Sequence, residues 1–361
     1  MPTAFEALAD GLAGAGVERV FGLMGDDTVR LVAALVARGM PYADTRHENA
    51  AVAMATGYAG AADRLGVCII SRGPGTTNGL TAAINASRGD ASVLIISGDE
   101  AEAAPTNTAK LPDHKALDAA AVAAICGIAV YTPRSADSII TNLRDAIHCA
   151  SDGQTVLLTL PRDLLEMEVG DCTPLEPVAA VQVRAPAADS SIAAAVAVLE
   201  TSRRPLIVAG AGAWSSGARD VLVLLAERVG GALATTLRGK DMFAGHPYDL
   251  GMVGSFSHSA GRRMIDEADC VIVFGASLNR WTTNGGTSLP EVPLIHVDAE
   301  RSHIARYHRA DISITGDARL VAEQLLEALP ERDDSDKPWY RAATRERLAD
   351  FDLAEDFESA A

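Results

Sequence analysis

A chain of 361 residues with 48% apolar and 22% charged side chains has room for two or three domains and enough apolar content for packed cores, which excludes a single small module and a disordered chain. Asp and Glu total 48 against 31 Lys and Arg, a formal charge of −17, and only four of the cations are lysines. With no basic block on that acidic background, neither a nucleic-acid partner nor an anionic lipid surface is expected.

The chain opens with Met-Pro-Thr-Ala-Phe-Glu, without the charged and apolar regions of a signal peptide, and its longest apolar run, Ala119–Tyr131, is too short to span a bilayer. No membrane association and a cytoplasmic location are the expectation. Over residues 1–170, short aliphatic runs at Arg19–Leu23, Pro41–Thr45, Gly66–Ser71, Ser92–Ser97 and Thr155–Leu160 alternate with Ala-rich, helix-length stretches. Such alternation predicts parallel strands covered by helices on both faces, an α/β domain with a doubly wound sheet. Residues 171–188, with Pro174, Pro177 and Pro186 and no periodicity, read as a linker. A second doubly wound, Rossmann-like domain is predicted over 189–330, with strands at Pro205–Ala209, Ala232–Thr236, Cys270–Phe274, Leu294–Val297 and Ile312–Thr315. Residues 331–361 form an acidic tail with one helical stretch, Trp339–Phe351. Cys68, Cys126, Cys149, Cys172 and Cys270 are too widely spaced for a zinc or redox motif and read as reduced, packed thiols.

Two places in the first domain combine residues able to do chemistry. Gly73-Pro74-Gly75-Thr76-Thr77-Asn78-Gly79 follows a buried strand and precedes a helical pattern, so a ligand can approach the backbone closely at a helix N-terminus. The same pattern also serves as an ordinary strand-to-helix turn. Glu48, in Arg46-His47-Glu48-Asn49, lies where the strand ending near Thr45 passes into the small-residue helix Ala50–Ala62, a place where a lone acid is most often a helix-dipole partner. In the second domain, Ser215 stands where the turn Gly210-Ala211-Gly212 would need a third glycine to match a dinucleotide fingerprint. His296 and Asp298, at a strand end, read as a structural pair rather than as metal ligands, and the His303–His308 group as a solvated helix face.

Taken in order, Val20-Phe21-Gly22-Leu23-Met24-Gly25-Asp26, Arg46-His47-Glu48, Gly57-Tyr58-Ala59, Gly73-Pro74-Gly75-Thr76-Thr77-Asn78 and Leu94-Ile95-Ile96-Ser97-Gly98 resemble the pyrimidine-binding domain of the thiamine-diphosphate enzymes of the pyruvate decarboxylase and acetolactate synthase superfamily. Pro205–Gly212 and Ala268–Gly275 look like the central domain of the same superfamily, so the resemblance covers about residues 1–330. It implies that Glu48 bonds the aminopyrimidine ring nitrogen of thiamine diphosphate and favours the imino tautomer, whose exocyclic nitrogen takes the thiazolium C2 proton. Gly25, Gly73, Pro74, Gly75 and Asn78 are implied as the remaining cofactor contacts. Asp26 matches an acid that handles protons near the substrate, although Met24 replaces the family's proline, and helix capping is the alternative for Asp26 and Asp27. His114 and Lys115 fall in the loop that reaches the substrate pocket in relatives. His47 and Arg72 are the other implied substrate contacts, Arg72 being suited to an anionic group. The central domain of relatives holds FAD, an ADP-type ligand or nothing.

Complete members of the superfamily carry a third domain that binds the diphosphate through Mg²⁺, marked by Gly-Asp-Gly and a later Asn-Asn, and neither string occurs in these 361 residues. The resemblance therefore implies the larger subunit of a two-component enzyme, with a separately encoded diphosphate- and Mg²⁺-binding subunit and at least two copies of this chain. Its reaction would break or form a C–C bond beside a carbonyl, as a 2-oxo acid decarboxylase, an acetolactate synthase-like carboligase or a 2-hydroxyacyl lyase. A noncatalytic regulatory protein retaining the fold and an adenine-nucleotide pocket is the alternative; Glu48 discriminates, because a chain that binds no thiamine has no use for that carboxylate.

Overall fold

The computed structural model describes residues 1–101, 115–170, 174–177, 184–331 and 339. They fall into two compact units, Met1–Gln182 and Val183–Ala361. His114, Cys172 and the helical stretch expected after Trp339 lie outside the described residues. No helix among those described is long and apolar enough to cross a membrane.

The first unit runs α1 (Ala4–Gly14), β1 (Val20–Leu23), α2 (Val29–Ala37), β2 (Tyr42–Asp44), α3 (Glu48–Ala62), β3 (Gly66–Ile70), α4 (Pro74–Arg88), β4 (Val93–Asp99), α5 (Ala119–Ile125), β5 (Ala129–Tyr131), α6 (Ile139–Ser151), β6 (Thr155–Pro161) and α7 (Arg162–Leu165). All neighbouring strands are parallel, in the order β2-β1-β3-β4-β6-β5. Strand β3 is buried at every position because helices cover both faces of the sheet. Alternate side chains feed two cores: Val67, Ile69, Leu94, Ile96 and Leu158 join α1, α2 and α6, while Cys68, Ile70, Ile95 and Leu157 join α3, α4 and α5.

The second unit runs α8 (Asp189–Thr201), β7 (Pro205–Ala209), α9 (Ala211–Ser215), α10 (Arg219–Val229), β8 (Ala232–Thr235), β9 (Asp249–Met252), α11 (Ser259–Ile265), β10 (Cys270–Phe274), β11 (Leu294–Asp298), β12 (Ile312–Thr315) and α12 (Ala318–Ala328). Its sheet is parallel, ordered β12-β11-β10-β7-β8-β9, and again has a core on each face. The chain therefore has two doubly wound sheets. Strands β5 and β9, absent from the sequence expectation, are edge strands of three and four residues, and β9 joins β8 through a register shift beside Gly251 at φ +80°.

In an open parallel sheet, ligands bind outside the carboxyl ends of strands where the winding direction reverses. In the first unit that reversal lies between β1 and β3, and in the second between β7 and β10.

Candidate active site

Helices α3 and α4 leave the sheet from β2 and β3 and pack closely, because one face of α4 is nearly bare. A Cβ at Gly75 would lie 3.1 Å from Glu48 Oε1, and one at Gly79 would lie 3.3 Å from Val52 Cγ2 and 3.9 Å from Glu48 Cβ. Spaced four residues apart, these glycines present one strip of backbone to Glu48 and Val52, themselves four apart on α3. Glu48 begins the helix two residues earlier than the sequence pattern suggested, and His47 is its N-cap, with Nδ1 accepting the N–H of Asn49 at 3.1 Å. Glu48 as a residue is only 8% exposed. Asn78 of α4 donates its side-chain N–H to Glu48 Oε2 at 3.0 Å. One turn further on, Asn49 of α3 accepts the backbone N–H of Ala82 at 2.9 Å, so each helix reaches across to the other.

A second cluster lies at the carboxyl ends of β1, β3 and β4. Asp27, buried, accepts the Ser71 hydroxyl at 2.9 Å and the Arg72 amide at 2.8 Å. A Cβ at Gly98 would fall 1.7 Å from its Oδ2, and one at Gly25 would fall 2.5 Å from its Oδ1. Those two glycines make room for the carboxylate. Asp27 therefore ties the segment after β1 to the end of β3, packs against Gly98 of β4 and caps no helix; the N-cap of α2 is Thr28, whose hydroxyl accepts the N–H of Gly25 at 3.0 Å. Nearby, the Thr76 and Ser97 hydroxyls bond each other at 2.8 Å.

Asp26, beside it in sequence, points outward and is 65% exposed on its side chain. The Lys115 ammonium donates to it and holds its carboxyl below the usual carboxylate range. The backbone of Lys115 also presses on the turn before α4: a Cβ at Gly73 would lie 2.2 Å from the Lys115 carbonyl oxygen. Pro74, at the first position of α4, needs no donor there. Arg72 is 4% exposed and its guanidinium pairs with Glu100 at the end of β4, as a buried cation requires.

Of the residues singled out in the sequence, the fold gathers Glu48, Gly75 and Asn78 in one group, Gly25 and Arg72 around Asp27 in a second, and Asp26, Gly73 and Lys115 in a third. His47 is exposed and engaged as a cap. Sequence reasoning passed over Asp27 as a tie, Asn49 as a cross-helix acceptor and Glu100 as the partner of Arg72. The signal available for Asp27 was the pair of glycines, Gly25 and Gly98, at the ends of two aliphatic strands.

In the second unit the glycines of the Gly210-Ala211-Gly212 turn serve packing. Their Cβ atoms would lie 2.2 Å from the Gly275 oxygen and 2.9 Å from its Cα, so the turns after β7 and β10 lie against each other. His296 is fully buried, with Nε2 at 2.8 Å from the Ala276 oxygen and Nδ1 accepting the Ala305 N–H at 3.3 Å. Among the described residues no three His, Cys, Asp or Glu are grouped so as to hold a metal ion.

Residues 2–121 match the family described as thiamine pyrophosphate enzyme, N-terminal TPP binding domain, and residues 192–325 match thiamine pyrophosphate enzyme, central domain. The chain is 31% identical over 341 residues to a probable acetolactate synthase large subunit of Methanocaldococcus jannaschii, covering 92% of this chain and 57% of that one. It is 31% identical over 339 residues to a probable 2-ketoarginine decarboxylase of Pseudomonas aeruginosa, covering 91% and 58%. With an acetolactate synthase large subunit of Mycobacterium tuberculosis it shares 28% over 342 residues, covering 91% and 53%. The chain thus spans a little over half the length of these curated relatives. The X-ray structure of a candidate thiamin diphosphate-dependent enzyme from Mycobacterium smegmatis shares the fold, with a TM-score of 0.77 at 21% identity over 92% of this chain and 64% of that one.

Proposed function

The chain belongs to the thiamine pyrophosphate enzymes, whose N-terminal TPP-binding and central domains it carries, and from that membership we propose that its first unit supplies the aminopyrimidine half of a thiamine diphosphate site. The observation that carries this reading is Glu48, buried in the first turn of α3 with one oxygen held by Asn78 and the other beside Gly75. The arrangement fits the group, because Asn78 engages Oε2 and Glu48 keeps Oε1, against the bare backbone of Gly75, as an acceptor for a ring nitrogen. Thiamine diphosphate, when bound, supplies the electron sink that breaking or making a C–C bond beside a carbonyl needs. Glu48 would accept a hydrogen bond from the protonated pyrimidine ring nitrogen and so favour the imino tautomer of the ring. At the rim, Asp26, ionised beside the Lys115 ammonium, would accept and pass on a proton, and Lys115 would meet an anionic substrate group.

In this reading the diphosphate and its Mg²⁺ are held by a domain outside these residues, which contain neither Gly-Asp-Gly nor Asn-Asn. We assign that domain to a separately encoded subunit, in a hetero-oligomer with two or more copies of this chain. The substrate class is a 2-oxo acid, in keeping with relatives that are acetolactate synthase large subunits and a 2-ketoarginine decarboxylase.

Glu48→Gln tests the reading. The amide keeps the size but cannot pair as an anion with the protonated ring, and losing such a charge-assisted bond costs roughly 2–4 kcal/mol, a rate drop on the order of 30- to 1000-fold. Thiazolium C2-proton exchange is measured in material reconstituted with the diphosphate-binding subunit. Exchange at the unsubstituted rate in the Glu48→Gln protein would mean that Glu48 is a structural carboxylate and that the site has been misassigned.

A further inference from the structure

We propose that Asn78 is the positioning residue of the site, acting through Glu48 and not through a contact of its own with the ligand. An ionised carboxylate only accepts hydrogen bonds, so the Asn78 amide must turn its NH₂ group toward Glu48, and the 3.0 Å contact commits Oε2. Oε1 is then the oxygen left on the side of Gly75, as the acceptor that a ligand would meet. Glutamate has three side-chain torsions, and burial alone does not choose among their rotamers. The N–H of Asn78 makes that choice, and its own place is fixed because α3 and α4 are also joined by the Asn49 bond to the Ala82 amide. Asn78 thus decides which oxygen the site offers and in which direction.

The functional consequence rests on the reading of Glu48 given above, whereas the positioning itself can be measured without any cofactor. In the full chain carrying ¹³C-labelled glutamate, the Glu48 carboxyl resonance is identified by its disappearance in Glu48→Gln. Asn78→Leu keeps the approximate size and removes the donor, so it should shift that resonance toward the value of an unbonded, rotationally averaged carboxylate; Asn78→Ser, which restores a hydroxyl donor, should move it part of the way back. Reconstituted Asn78→Leu protein at saturating thiamine diphosphate should exchange the C2 proton more slowly by on the order of 10- to 100-fold, the effect of one hydrogen bond to a charged group, with partial recovery in Asn78→Ser. If Asn78→Leu fails to give a folded spectrum, Asn78→Ser against the unsubstituted chain carries both readings. An unmoved Glu48 resonance overturns the positioning role. A moved resonance with unchanged C2 exchange overturns its importance for the site. Failure of the parent reading looks different, since Glu48→Gln would then leave exchange untouched while the resonance still responded to Asn78.

Discussion

Gly73 holds φ +63° and ψ −115°, a conformation that side-chain-bearing residues rarely adopt, and its missing Cβ is where the Lys115 carbonyl sits. Gly73→Ala should therefore destabilise the first unit by more than the ~1–3 kcal/mol that such a backbone conformation costs by itself, lowering the melting temperature by on the order of 5 °C or more. Gly57 provides the contrast. It lies inside α3 with nothing within 4 Å of where a Cβ would go, and its φ is not positive. Gly57→Ala should stabilise the chain by about 0.4–1 kcal/mol by restricting the unfolded state. Thermal melts of the two variants should move in opposite directions, and a common direction would contradict the local geometry described for either glycine.

Strand β11 carries a fully buried histidine, His296, between Leu294 and Asp298 on one face. Because His296 offers Nε2 to a carbonyl and receives an amide at Nδ1, the fold holds it neutral with the proton on Nε2, and burial depresses its proton affinity below the usual value for histidine. The unfolded chain, with a histidine near the ordinary pKa of ~6.5, then takes up a proton before the folded chain does. This group's contribution is fully present above about pH 6.5 and is lost as pH falls toward and through the depressed folded value, with a slope of at most ~1.4 kcal/mol per pH unit for one proton. Unfolding free energies between pH 7.5 and 5.5 should show that decline, and His296→Gln should flatten it while lowering stability overall. The strands of this fold were legible where both faces are buried: β7 and β10 run from Pro205 to Ala209 and Cys270 to Phe274, with the limits their aliphatic runs suggest. Edge strands β5 and β9 were not, since a half-exposed run of three residues, or one bent at Gly251, has no periodicity to read. In the site, Glu48 and the Gly73–Gly75 turn drew notice only as members of an ordered set of blocks that resembles the family, since each alone reads as an ordinary helix start or turn. The ties made by Asp27 and Asn49 did not, because a bond from a side chain to a distant backbone amide leaves no pattern along the chain.

Each unit closes its cores with its own residues, and those of the second unit draw only on residues 187–339. A fragment spanning 184–339 should accordingly give one cooperative melt of its own, checked by calorimetry against the full chain. On the proposed division of the cofactor site, the purified 361-residue chain should turn over no 2-oxo acid, pyruvate being the first to try, and should gain activity when the diphosphate-binding subunit is added. Turnover by the chain alone would remove the need for that subunit. The Asp27 carboxylate has a further consequence for how such a site fills. Because it already fastens the segment after β1 to the end of β3, against Gly98 of β4, the disorder of those loop ends is given up during folding, before any ligand arrives. Capture is then docking onto a ready-made rim, and the Arg72 amide should exchange its hydrogen as slowly in the ligand-free chain as in the loaded assembly.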